Sequence, residues 1–444
     1  SDHPERVVVI LDHRVPAPTI QSASAHLTAR KFVKRFGIRR FHDVGGTQGI
    51  SHQVVADQGY AKPGTVLVCS DSHTCSGGAF NAVARGVGGP DVMYAAVKGE
   101  TWFRVGGTVR YELAGALREG VTTKDVFLHI ANVFGDHINQ NVEFGGPGLK
   151  HLSVNARRTI ATMGAEISAD FSIFEADEVI VDYVKARNPA PFEPVFPDAD
   201  AVYKDRREIA LDAIEPLVAL PDAVLNNSVP VGQVAGQKID QAFIGSCSNG
   251  TLDDFAIAAK VLAGRRIADG VRLIVTPGSQ EIYREAMRAG YVQTIMEAGA
   301  VVTNATCGAC GGGIWASSVP AKSASPPAHA TSRAAWATRP RASIWARRRR
   351  SRRRRSRASS RTPANSWARR WYEREHRQGP RLEIRRQHQH RSDAAGRIPH
   401  GDRGRTGARR VLRQPSRLNR RRSEEHTSEL QSLAYLVCRL LLEK

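Results

Sequence analysis

The stretch Val66-Leu67-Val68-Cys69-Ser70-Asp71-Ser72-His73-Thr74-Cys75-Ser76-Gly77-Gly78-Ala79 runs from four apolar residues into a polar turn and then into small residues. A short, continuous apolar run of this kind reads as a strand buried on both faces of a parallel sheet. In open α/β sheets, ligand-facing residues sit at the carboxyl ends of such strands. Asp71, Ser72 and His73 therefore stand where chemistry is expected, and Gly77-Gly78-Ala79 predicts entry into a helix over residues 80–85.

The same order recurs on both sides of this stretch. Upstream, the apolar run 7–11 delivers Asp12-His13, and residues 21–36 read as a helix. Downstream, Ala242-Phe243-Ile244 ends in Gly245-Ser246-Cys247-Ser248-Asn249-Gly250, before a helix whose cap is Thr251 or Asp253. The run 271–275 leads into Thr276-Pro277-Gly278-Ser279, with 280–300 helical, and Val301-Val302 ends in Thr303-Asn304-Ala305-Thr306-Cys307-Gly308-Ala309-Cys310. The repeated grammar makes the chain α/β. A Pro- and Ala-rich stretch at 188–198 marks a boundary, so the expected organisation is a first α/β region over 1–187, a linker and connecting segment over 188–236, and a second α/β region over 237–313. The polar residues 1–6 directly precede a core strand, which suggests a missing N-terminal segment.

Composition divides the chain at Ile314. The formal net charge of +21 arises beyond it, where 34 basic residues meet 9 acidic ones; residues 1–313 carry 30 against 34. All 14 Phe lie before Ile314, and residues 314–444 are an Arg, Ala, Ser and Pro mixture without periodicity, expected to be a disordered basic tail. No stretch approaches the roughly 20 apolar residues of a membrane span, and no signal peptide opens the chain. A soluble cytoplasmic protein is the expectation. Six unevenly spaced cysteines do not form a disulfide framework, and in a reducing compartment such thiols are buried, catalytic or metal-bound.

Two constellations carry chemistry. Cys307-x-x-Cys310 alone fits zinc, redox chemistry or an iron–sulfur cluster, but it lies on a Gly-rich strand-end loop, and so does Cys247. Three converging thiolates would hold a cubane cluster with one iron left open to bind substrate as a Lewis acid. The plainer alternative is three buried core cysteines; zinc stands between, although no His is at ligand spacing beside the Cys pair. The second constellation sets histidines at strand ends, two of them beside carboxylates: Asp12-His13, Asp71-x-His73, and His52 within Gly49-Ile50-Ser51-His52-Gln53. A carboxylate bonded to imidazole fixes its tautomer and raises its basicity, which suits proton transfer to a leaving hydroxyl.

These residues resemble the aconitase superfamily. The matching motifs are Asp12-His13-x-Val15-Pro16, Gly49-Ile50-Ser51-His52-Gln53, Ser70-Asp71-Ser72-His73-Thr74-Cys75, Met163-Gly164-Ala165-Glu166, Ile244-Gly245-Ser246-Cys247-Ser248-Asn249-Gly250, Thr276-Pro277-Gly278-Ser279 and Cys307-Gly308-Ala309-Cys310-x-Gly312. They fall in family order over residues 7–313; Ser248 and Ala309 stand where Thr and Pro are commoner. The resemblance implies aconitase-type α/β/α domains with mainly parallel sheets, and a 4Fe-4S cluster on Cys247, Cys307 and Cys310. It implies acid–base and orienting roles for Asp12, His13, His52, Asp71, His73 and Glu166, with Ser72 touching substrate. The implied reaction dehydrates and rehydrates a hydroxy-dicarboxylic acid, moving its hydroxyl between adjacent carbons. The implied partner is a small swivelling subunit, which chooses among isopropylmalate, homoaconitate, dimethylmalate and aconitate-type substrates. Cys69 and Cys75 read as packing residues.

Beyond Gly313 the family's arginine loop is missing in frame. Codons for residues 329–339 can spell RNFKGRMGDP, that loop, in a neighbouring frame, and codons for 372–399 can spell a small-subunit opening in the third, which points to a frameshift between about 313 and 329. The end, 422–432, looks like translated adapter DNA. A rival reading takes the Arg runs as a nucleic-acid-binding arm, and another takes the chain as a cluster-binding protein without catalysis. The arm does not explain why hidden frames spell family motifs.

Overall fold

In the computed structural model, the structure describes residues 4–221 and 223–311. The sequence readings made for 314–444 lie outside these residues. Strand β1 (Val8–Ile10) pairs in parallel with β2 (Arg40–His42), joined by helix α1 (Ile20–Phe36). Thr19 caps α1, accepting from the Ser22 amide at 3.1 Å, and Gly37 ends it in the left-handed region at φ 64°. Helix α2 (Ser51–Asp57) precedes β3 (Val66–Cys69), which pairs in parallel with β4 (Val83–Gly86). Helix α3 (Gly89–Lys98) comes next.

Between β3 and β4 the chain departs from the sequence reading. Residues 80–85 are not helical; Ser72–Phe80 form a 3₁₀ helix that stops at Asn81, and Val83–Gly86 are a strand. The physical reason is close approach. A Cβ on Gly78 would come within 1.8 Å of the Ser172 carbonyl oxygen, so the small residues let this segment pack on a neighbouring strand instead of opening a helix.

The largest core surrounds a four-stranded, fully parallel sheet in the order β7-β6-β5-β8, made of β5 (Gly107–Ala114), β6 (Gln140–Gly145), β7 (Ser172–Phe174) and β8 (Asp205–Ala210). Helices α4 (Thr123–Val133), α5 (Val154–Met163) and α6 (Glu178–Arg187) belong to the same region. Tyr111, Phe144 and Phe174 stack across the sheet at centroid distances of 5.4 and 4.7 Å, against Phe127, Ile130 and Ile160. The segment 188–236, read as a linker and connecting segment, supplies β8 to this sheet. It also supplies an antiparallel pair, β9 (Leu217–Ala219) with β10 (Ser228–Pro230). Edge position explains why the sequence hid β8: with a partner on one side only, it tolerates the charged run Asp205-Arg206-Arg207-Glu208.

A fourth parallel sheet, in the order β11-β12-β13, is built from β11 (Gln241–Ile244), β12 (Arg272–Val275) and β13 (Val301–Val302). β11 leads into the short helix α7 (Ser246–Asn249) and then α8 (Leu252–Leu262), capped by Thr251 in a reciprocal box with Asp254. The predicted helix over 280–300 is two helices, α9 (Gln280–Arg288) and α10 (Tyr291–Glu297), because Gly290 turns left-handed at φ 77° between them. Apart from β9–β10 and one isolated bridge, every strand pairing among the described residues is parallel.

Candidate active site

Loops from these sheets meet because hydrogen bonds stitch them together. The Thr306 hydroxyl lies 2.8 and 3.1 Å from the carbonyls of Asp12 and His13, and Gln48 Nε2 donates to the Ala305 carbonyl at 2.6 Å. The Cys307 loop after β13 is thereby tied to the end of β1. The Ile50 amide donates to the Gly278 carbonyl at 2.8 Å, tying the start of α2 to the loop after β12. Thr159 on α5 donates to the Ser248 carbonyl at 2.8 Å, fixing the Cys247 turn. Ser246, just before Cys247, holds a left-handed φ of 74°, a conformation that costs a non-glycine residue about 1–3 kcal/mol.

Asp71 is the hub of the polar half. It accepts from the His73 amide at 2.8 Å and His52 Nε2 at 2.9 Å, and His13 Nε2 lies 3.3 Å from its second oxygen. Burial would raise its pKa, but the charge of His52 and the bonds from His13, His52 and His73 hold it well below the ordinary 3.8. His13 lies between two carboxylates, with Nδ1 bonded to Asp12 Oδ1 at 2.7 Å. The charge of Asp12 outweighs burial and, with hydrogen bonds to Asp12 and Asp71, lifts the His13 pKa well above 6.5. Asp12 also accepts from the Ser51 amide at 3.2 Å.

His73 Nε2 bonds Glu166 Oε1 at 2.9 Å, and Glu166 is delivered by a 3₁₀ turn, Gly164–Ile167, directly after α5. The same imidazole lies near Cys247; burial opposes its charge, but Cys247, Asp71 and Glu166 together raise its pKa well above 6.5. Cys307 and Cys310, both free thiols, stand beside one another; their pairing brings the Cys310 thiol down to about 7 against the opposing effect of burial and, with burial, raises the Cys307 thiol well above its ordinary value. The charge of Cys247 reaches Cys307, and those of His73 and Glu166 reach Cys310. Ser72 is exposed between Asp71 and His73. The side chains of His13, Asp71, His73 and Glu166 remain 28, 20, 22 and 22% exposed, so a ligand from solvent can reach them.

The donor set fits an iron–sulfur cluster. Cys247, Cys307 and Cys310 are unpaired by disulfides, buried or half-buried, and within electrostatic reach of one another. Among the described residues no three His, Cys, Asp or Glu side chains converge as a single metal ion requires; a cluster places each thiolate on a different iron, so convergence on one point is not needed. Cys69 ends β3, and Cys75 lies in the 3₁₀ helix Ser72–Phe80. Cys75 Sγ donates to the Thr162 carbonyl at 3.4 Å, and burial pushes the two thiols up to about 11 and about 12, keeping them protonated.

Sequence reasoning missed Lys124. It lies in the first turn of α4, buried, with Nζ 3.2 Å from Asn249 Oδ1. The available signal was a lysine placed against the helix dipole inside the capping box of Thr122 and Asp125, next to Val126 and Phe127.

One test of the carboxylate–imidazole geometry is stability against pH. Because the folded pKa of His13 is raised, its bound proton contributes stability that is full below 6.5 and is lost as pH rises through the folded value. Denaturant midpoints of the cluster-free chain are expected to fall on the alkaline side, and Asp12→Asn, which removes the largest cause, is expected to flatten that limb. An unchanged slope in Asp12→Asn would show that this pair does not set it.

Comparison with known proteins agrees with the site's motifs. The chain matches the Aconitase family (aconitate hydratase) over residues 2–237 and 223–333. It is 56% identical over 307 residues to a 3-isopropylmalate dehydratase large subunit of Mycolicibacterium smegmatis, covering 69% of this chain and 72% of the relative. It is 41% identical over 312 residues to a probable 3-isopropylmalate dehydratase large subunit of Methanothermobacter thermautotrophicus, covering 70% and 74%. A probable methanogen homoaconitase large subunit of the same organism is 40% identical over 309 residues, covering 69% and 72%. Matched by the family model over most of its length and sharing this level of identity with its relatives, the chain belongs to the aconitase family.

Proposed function

We propose that the chain is the large subunit of a hydro-lyase of the 3-isopropylmalate dehydratase kind, which moves a hydroxyl between adjacent carbons of a hydroxy-dicarboxylic acid. The observation that carries this reading is that Cys247 and Cys310 stand near His73, which bonds Glu166, while Cys307 stands near both cysteines and Asp71, the hub of the imidazoles. A 4Fe-4S cluster held by those thiolates supplies, when bound, an open iron position that polarises the substrate hydroxyl and carboxylate.

The chain's own residues do the rest. His13, protonated between Asp12 and Asp71, is a proton donor for the departing hydroxyl. Asp71 keeps His13, His52 and His73 in fixed orientations, and Glu166 holds the proton of His73 Nε2. Ser72 offers its hydroxyl to substrate from the exposed start of the 3₁₀ helix. The large-subunit names of the relatives and the open site support a small subunit as partner, which covers the substrate and selects its side chain. A homoaconitate-type substrate is the second reading, favoured by the homoaconitase-named relative. A cytoplasmic location accompanies the unpaired thiols, and no helix among the described residues is long and apolar enough to cross a membrane.

The test mixes the iron- and sulfide-loaded full chain with the small subunit of a 3-isopropylmalate dehydratase. Absorbance of the unsaturated acid is followed after adding 3-isopropylmalate or homocitrate. Substrate-dependent absorbance with one acid is the expected result. A loaded pair that is inert toward both would overturn the reading.

A further inference from the structure

Lys124 breaks two rules at once. Its ammonium is buried, which costs free energy unless charge nearby offsets it. It also sits in the first turn of α4, where the helix dipole repels a cation. Local consistency of this kind is given up mainly at functional positions. Burial lowers the Lys124 pKa, whereas the charges around it act to raise it: Cys310, Glu166, Asp254 and Cys247. Two of those four are the proposed cluster ligands, and a third bonds the catalytic imidazole His73.

Its contacts run the same way. Nζ donates to Asn249 Oδ1 at 3.2 Å and approaches Met163 Sδ at 3.7 Å. Asn249 ends α7, the turn that carries Cys247; its Nδ2 donates to Asp254 Oδ1 at 3.0 Å, and Asp254 caps α8 through Thr251. Met163 ends α5, directly before the turn that delivers Glu166. One ammonium thus joins the start of α4, the Cys247 turn and the end of α5.

We propose that Lys124 is a positioning residue of the thiolate pocket: it holds the Cys247 turn through Asn249 and places a fixed positive charge beside the cysteines. The inference rests on the cluster reading above. A buried cation next to a cluster favours its more negative, reduced form, so removing that charge lowers the midpoint potential.

The experiment loads full-length chains anaerobically with iron and sulfide and titrates the cluster by EPR at fixed potentials. In Lys124→Met the reduced-to-oxidised ratio at a given potential is expected to fall about tenfold, equivalent to ~59 mV for a one-electron couple. Lys124→Arg, which keeps the charge, is expected to stay close to wild type. Lys124→Gln, which can still donate to Asn249, is expected to behave as Lys124→Met does and carries the comparison if the methionine variant does not fold. Iron uptake by Lys124→Arg but by neither neutral variant would also support the role. An unchanged midpoint in a neutral variant, or an arginine variant that behaves as the neutral ones do, would overturn it. Absence of a cluster in the wild-type chain would instead defeat the cofactor reading, and this inference with it.

Discussion

Asp71→Asn is expected to lower kcat by about 10²–10⁴, the range that a positioned acid–base system supplies. The side chain keeps its size, so the cause is lost charge and lost acceptors. Both carboxylate oxygens of Asp71 serve imidazoles: Oδ1 accepts from His52 Nε2 and the His73 amide, and Oδ2 faces His13 Nε2. An amide presents one acceptor and one donor, so at least one imidazole must change tautomer or turn away. His13 also loses one of the two partners that keep it protonated, and the alkaline limb of the rate profile is expected to move to lower pH. Initial rates of the loaded pair across pH measure both effects. A variant within about threefold of wild type at every pH would show that Asp71 does not organise the chemistry.

The largest expected stability effect lies away from the site, at Arg157. Its side chain is fully buried and paired with Asp177 through two bonds of 2.7 and 2.6 Å, with further bonds to the carbonyls of Leu149 and Leu152 at 2.8 and 3.3 Å. Asp177 is also the cap of α6, accepting from the Ile180 amide at 3.1 Å. Arg157→Ala leaves that carboxylate without its charge partner and takes a donor from each of the two carbonyls, and breaking such a buried pair costs about 3–5 kcal/mol. Since Asp177 keeps 29% of its side-chain surface, the lower end is expected. Urea unfolding should show a lower midpoint at constant slope. A loss under about 1 kcal/mol would mean that solvent replaces the pair.

The features legible in the sequence are those where chemistry sits beside a local pattern. β1, β3, β11, β12 and β13 are short apolar runs, and Asp12, His13, Asp71, His73, Cys247, Cys307 and Cys310 follow four of them, so strand ends and these side chains were legible together; His52, read as a strand-end histidine, lies instead on helix α2. The sequence concealed features set by partners distant along the chain. Gly77 and Gly78 look like a helix entrance until Ala84 is seen to press on the first and Ser172 on the second, and the charged β8 looks like a connector until its edge position is known. Thr306 has no local signal, because its partners, the Asp12 and His13 carbonyls, lie 294 and 293 residues earlier. Glu166 came only from family likeness; its bond to His73 spans 93 residues, beyond any local spacing rule. Lys124 had a local signal in its conflict with the helix dipole.

Most of the functional reading depends on Cys247, Cys307 and Cys310 acting as one ligand set that faces the imidazoles. The direct measurement is iron and acid-labile sulfide per chain after anaerobic loading, in wild type and in single Cys→Ala variants at all five described cysteines. About four of each per wild-type chain is expected, with loss in Cys247→Ala, Cys307→Ala and Cys310→Ala and full retention in Cys69→Ala and Cys75→Ala. Wild-type iron in Cys247→Ala, or its loss in Cys69→Ala, would contradict the assignment.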